Sequence, residues 1–131
     1  MQLLLDTHLL VWAMGEPERL PAGLISMLED PAHIPVFSVV SLWELVIKSA
    51  LGRPDFNVKP AQLRRALLDG GWRELLIDSR HVLAVADLPP LHRDPFDRLL
   101  LAQANAEGQL LITADQQLAA YPGPVRWMAA A

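Results

Sequence analysis

The sequence predicts a three-layer α/β/α sandwich around a central, mainly parallel sheet of four to five strands. Three observations carry the prediction. Short apolar runs alternate with stretches of helical periodicity, the pattern of βαβ crossovers. Leu3-Leu4-Leu5 and Leu110-Leu111-Ile112 are apolar without alternation, as strands covered on both faces are. Finally, 52% of the 131 residues are apolar, which suits one domain with a sizeable core and excludes a disordered chain.

The elements follow in order. Residues 3–5 form the first strand and end at Asp6. A helix over 7–14 is stopped by Gly15 and Pro17, and a second over 20–29 carries Pro21 in its first turn and Pro31 after its end. Residues 35–39 read as the second strand and 41–51 as a helix closed by Gly52. A helix over 60–68 begins with Pro60 and is followed by Gly70-Gly71; residues 75–77 give the third strand. Asp78 caps a short helix reaching Asp87, and Asp94-Pro95 opens a helix running to Glu107 with Gly108 at its C-cap. Residues 109–113 are the fourth strand, Asp115 caps a short helix through Ala120, and 125–128 supply a fifth strand. No repeat, low-complexity tract or linker interrupts the chain, so residues 1–131 read as a single domain.

Composition excludes several classes. There is no Cys, hence no disulfide framework and no thiolate metal site. No apolar run approaches the ~18 residues of a membrane span, and Met1 opens no signal-peptide pattern, so the expected location is the cytoplasm, with no membrane partner. Fifteen acids against 11 Lys and Arg give a formal charge of -4, which argues against gripping nucleic acid by bulk positive charge.

Four acids stand out, and each has a plain structural reading. Asp6 and Asp115 follow strands and can cap the next helix. Glu44 completes a Ser41-x-x-Glu44 capping box in the first turn of its helix and sits four residues before Lys48, a helix ion pair. Asp97 belongs to helix-start grammar, with Asp94 as N-cap and Pro95 as first residue. However, Leu42, Trp43, Leu45, Val46 and Ile47 make Glu44's helix apolar nearly all round, the mark of a buried helix. A carboxylate there needs a partner. In a parallel sheet all four acids reach the carboxyl edge, where such folds bind ligands. Crowded carboxylates raise one another's pKa, and a divalent cation relieves them. An oxygen-only donor set selects Mg2+ or Mn2+ over Zn2+, and in-line displacement at a phosphodiester is the chemistry it serves.

At these residues the chain resembles the PIN-domain ribonucleases, most of all the VapC-type toxins of bacterial toxin–antitoxin pairs. The matching segments are Leu4-Leu5-Asp6-Thr7-His8, Ser41-Leu42-Trp43-Glu44-Leu45 with Ile47-Lys48 and Leu51-Gly52, His92 through Leu100, and Leu111-Ile112-Thr113-Ala114-Asp115. Four segments in order form a specific signal. The resemblance implies a Mg2+-dependent endoribonuclease whose metal ligands and catalytic acids are Asp6, Glu44, Asp97 and Asp115, with Thr113 as a supporting polar group. It also implies an RNA substrate, a homodimer and a cognate antitoxin. Asp94 reads as structural.

Other residues are less directed. His8, His33, His81 and His92 have no ligand spacing and read as structural or exposed, with His8 the one placed to line the site. The four Trp read as core or interface. Arg93 and Arg98 flank the acids and are candidate RNA phosphate contacts; Arg64-Arg65 reads as solvated surface. Two other classes remain: a catalytically silent interaction module of the same fold, and a receiver-like phosphoacceptor domain. The latter needs a lysine beside the acids, and neither Lys48 nor Lys59 lies at a strand end. A haloacid-dehalogenase-type phosphatase needs Asp-x-Asp where this chain has Asp6-Thr7-His8.

Overall fold

The computed structural model describes Met1–Ala131. Its strands are β1 (Gln2–Leu5), β2 (Ile34–Ser38), β3 (Arg73–Leu75), β4 (Leu110–Thr113) and β5 (Val125–Trp127). They form one sheet in the order β3-β2-β1-β4-β5, and every neighbouring pair is parallel. The helices are α1 (Thr7–Gly15), α2 (Ala22–Glu29), α3 (Val39–Ala50), α4 (Pro60–Asp69), α5 (Ser79–Ala84) and α6 (Pro95–Glu107). This is the α/β/α sandwich the alternation predicts, with all five strands parallel.

Strand pleating explains the two-sided core. Leu3, Leu5, Phe37 and Ile112 pack with α1, α2 and α4 on one face. Leu4, Val36 and Leu111 pack with Phe96, Leu100 and Leu101 of α6 on the other. Consecutive Leu side chains point to opposite faces, so an unbroken apolar run feeds both cores. α3 supplies Leu45 to the first and Val40 to the second, so it straddles the end of the sheet.

Several boundaries differ from the sequence reading: α2 begins at Ala22 with Pro21 as its N-cap, α5 ends at Ala84 and continues as a 3₁₀ turn over Val85–Asp87, and β2 spans Ile34–Ser38. Two others have a clear local reason. α3 begins at Val39, because Ser38 at the end of β2 is already its N-cap and accepts the Val40 N–H at 3.0 Å. The Ser41–Glu44 capping box therefore does not form, and Glu44 lies in the second turn. β3 ends at Leu75 instead of spanning 75–77. Leu75 pairs with Ser38, the last residue of β2, and beyond it the neighbouring chain has turned into α3. α3 is also not buried all round: Trp43 and Val46 are half-exposed, although the Trp43 ring meets Phe96 of α6 edge-on.

The start and end of α6 follow the sequence. Asp94 Oδ1 accepts the N–H groups of Phe96 and Asp97, Pro95 occupies the first turn, and Gly108 takes the left-handed conformation at φ 65°. The chain builds β1, β2 and β3 outward on one side, then returns through α6 to place β4 and β5 on the other. The reversal falls between β1 and β4, and ligand clefts of open α/β sheets sit at the carboxyl ends of such strands.

Candidate active site

A cleft of about 350 Å³ opens at that reversal. Asp6, Glu44, Asp94, Asp97 and Asp115 line it, with Thr7, His8, Lys48, Arg53 and His92. The four acids singled out in the sequence thus converge from β1, α3, α6 and the end of β4. A larger groove of about 690 Å³ beside α1 and α4 contains Lys59 as its only ionisable side chain and no such cluster.

Each acid is held differently. Asp6 Oδ1 accepts the Leu9 N–H at 3.0 Å, and Oδ2 accepts the Thr113 hydroxyl at 2.6 Å and the Ala114 N–H at 2.9 Å. It caps α1 and is also locked to β4. Burial pushes its carboxyl above the usual range, against those three hydrogen bonds and the nearby His8. Thr113 Oγ1 also accepts the Asp115 N–H at 2.9 Å, so one hydroxyl links two acids.

Glu44 is 2% exposed, yet both its oxygens have donors. The Thr7 hydroxyl donates to Oε1 at 2.5 Å, and Lys48 Nζ to Oε2 at 2.5 Å. Lys48 also donates to Asp94 Oδ2 at 3.3 Å. Burial pulls the ammonium's pKa down, but Glu44 and Asp94 outweigh it and the net shift is upward. The Glu44–Lys48 ion pair expected from the sequence is thus formed, and although Lys48 lies on no strand end, it reaches the acids. One helical turn carries Lys48 from Glu44 back into the cleft, a placement its i,i+4 spacing already signals.

Asp115 Oδ1 accepts the Gln117 N–H at 2.9 Å, capping the 3₁₀ turn Gln116–Ala120. Its Oδ2 accepts from His92 Nε2 at 2.8 Å. Asp97 alone accepts no hydrogen bond within 3.5 Å. The one basic side chain within 4.0 Å is His92, whose Nε2 lies 3.5 Å from Oδ2 without hydrogen-bond geometry. Burial, then the charges of Asp94, Glu44, Asp6 and Asp115, push the Asp97 carboxyl up to about 8.

Several side chains are not where the sequence suggested. His92, read as structural or exposed, has its ring in the cleft. His8 lines the cleft as the sequence reading placed it, with Nε2 3.2 Å from Asp55 and its ring on Phe56. Arg98 turns inward: its guanidinium donates to the carbonyls of Pro89 and Val85 and to the Tyr121 hydroxyl at 3.1–3.2 Å, which leaves it unavailable to a phosphate. Arg93 is exposed on a shallow depression beside the cleft. The guanidinium that lines the cleft is that of Arg53, which the sequence reading missed; Gly52 turning the chain back after α3 was its only signal.

The donor set fits a divalent cation. Five carboxylates share the cleft, and the one lysine among them is already paired with Glu44 and Asp94. Asp97 is left as an unpartnered carboxylate among like charges, which only a proton or a cation relieves. The ligands are hard oxygens, suited to Mg2+ or Mn2+. Asp6, Glu44, Asp97 and Asp115 are the residues that could hold it.

Comparison with known proteins supplies the family and the fold. The PIN domain family matches residues 3–124. Ribonuclease VapC22 of Mycobacterium tuberculosis is 27% identical over 122 residues, 93% of this chain and 93% of that protein. Among solved structures, VapBC2 from Rickettsia felis, bound to a DNA fragment from its promoter, superposes with a TM-score of 0.72 at 18% identity, covering 96% of this chain and 98% of that one. VapBC-1 from nontypeable Haemophilus influenzae gives 0.61 at 23% identity, covering 98% of both chains. These two likenesses carry the fold.

Proposed function

The chain belongs to the PIN-domain family, and from that membership we propose that it is a Mg2+-dependent endoribonuclease, the toxin of a toxin–antitoxin pair. The observation that carries the reading is Asp97: a largely buried carboxylate without a hydrogen bond, ringed by four other acids. An interaction module has no use for such a destabilising group, whereas a metal-dependent nuclease requires it.

The roles divide by how each acid is held. Asp6, with three donors, is a fixed ligand on the central strand. Glu44 is oriented by Thr7 and balanced by Lys48. Asp97 and Asp115 complete the oxygen set from the other side. When bound, Mg2+ supplies an acidified water and relieves negative charge on the phosphoryl oxygens. Lys48 keeps the acidic floor from repelling the RNA backbone outright, and Arg53 at the mouth offers a contact to a neighbouring phosphate. In-line attack by water, which gives up one proton, forms a P–O bond and breaks the bond to the 3′ oxygen, which takes one up. The products are a 5′-phosphate and a 3′-hydroxyl.

A cognate antitoxin and a second copy of the chain are the expected protein partners. The half-exposed apolar groups Trp43 and Val46 on α3 and Val82 on α5, with the more exposed Leu83, are surface such partners could cover. No helix is long and apolar enough to cross a membrane. The test is RNA cleavage by purified protein with Mg2+ and with EDTA. Cleavage that needs Mg2+ and is lost in Asp6→Asn and Asp97→Asn is expected; undiminished cleavage by Asp97→Asn overturns the reading.

A further inference from the structure

His92 is fixed at three points. Its Nδ1 accepts the Asp94 N–H at 3.0 Å, so the neutral ring carries its proton on Nε2. That Nε2–H donates to Asp115 Oδ2 at 2.8 Å and lies 3.5 Å from Asp97 Oδ2. Its main-chain N–H donates to the Tyr121 hydroxyl at 2.9 Å, and Tyr121 in turn accepts from the inward-turned Arg98. One ring nitrogen is thus tied to the cap of α6, the helix that bears Asp97. The other reaches the acid that follows β4.

We propose that His92 is a positioning residue. Its Nε2–H holds the Asp115 carboxylate beside Asp97, so that the two acids present oxygens to one cation. A backbone N–H fixes the tautomer, which leaves Nε2 no lone pair and keeps imidazole out of the ligand set. The cluster stays oxygen-only although a histidine stands within 4.8 Å of both acids. This inference rests on the metal-dependent reading above.

The test measures Mn2+ binding by titration calorimetry to wild type, His92→Ala and His92→Gln, with circular dichroism of each. His92→Ala is expected to bind Mn2+ about 10–100-fold more weakly with its helix content unchanged. His92→Gln, whose amide N–H can reach Asp115, is expected to recover most of the affinity. An affinity of His92→Ala within about twofold of wild type, or no rescue by Gln, overturns the role of His92 while leaving the metal site standing. Wild-type protein that binds no Mn2+ overturns the metal-dependent reading, and this one with it. Nitrogen NMR of the metal-free wild type gives a measurement independent of any variant: an Nε2–H tautomer is expected, and an Nδ1–H tautomer overturns the proposal.

Discussion

Lys48 donates to Glu44 across one turn of α3, Nζ to Oε2 at 2.5 Å, and the same ammonium serves Asp94. Removing it leaves a carboxylate that is 2% exposed without its counter-charge. Lys48→Met should destabilise the metal-free protein by about 3–5 kcal/mol in urea denaturation near neutral pH. Part of that loss should return on adding Mg2+, since the cation replaces the missing charge. A variant as stable as wild type would show that the pair contributes nothing net.

Asp97→Asn removes the carboxyl group whose ionisation the cleft tolerates least. The variant should lose RNA cleavage yet melt at a higher temperature than wild type in EDTA, by about 4 °C for each kcal/mol of repulsion relieved. Loss of activity accompanied by a lower melting temperature would assign Asp97 a structural role instead.

The pH dependence has a definite sign. Asp97 has its folded pKa raised from 3.8 to about 8, so folding takes up a proton between those values. The stabilisation is fully present below 3.8 and is lost as pH rises through 8. Asp6 is raised as well and acts in the same direction. Metal-free protein should therefore lose stability between pH 5 and pH 8, by at most about 1.4 kcal/mol per pH unit for one proton. Metal competes with that proton, so apparent Mg2+ affinity should climb over the same interval. Stability that rises with pH in EDTA would contradict this.

Gly108 separates backbone conformation from packing. It sits at φ 65° with nothing within 4 Å of a Cβ placed there. Gly108→Ala should cost about 1 kcal/mol through the left-handed conformation alone and leave Mn2+ affinity unchanged. A loss several times larger would mean that the turn into β4 is coupled to the site.

Most of the fold was legible because strands buried on both faces leave unbroken apolar runs, and because Asp94, Pro95 and Gly108 punctuate α6 unambiguously. Asp6, Asp97 and Asp115 were legible as acids at strand ends or helix starts. Glu44 was found, but its turn was misplaced: Ser38 and Ser41 are both good caps, and only the parallel register shows which one ends β2. The half-exposed Trp43 and Val46 looked buried because periodicity reports an apolar face, not whether a neighbour covers it. His92 was invisible as a site residue. Its ring reaches Asp115 only after the segment before α6 and the end of β4 have converged, and no local pattern encodes that meeting.

The bonds from Thr113 and Ala114 to Asp6 span 107 and 108 residues of chain. Asp6 and the Leu9 N–H that holds its Oδ1 are made almost together, whereas the donors to Oδ2 follow 107 and 108 residues later. A translation product that stops before Thr113 lacks the fourth acid and both donors to Asp6 Oδ2. The hydrolytic capacity proposed for this protein therefore depends on its fourth strand and the turn beyond it as much as on its first strand.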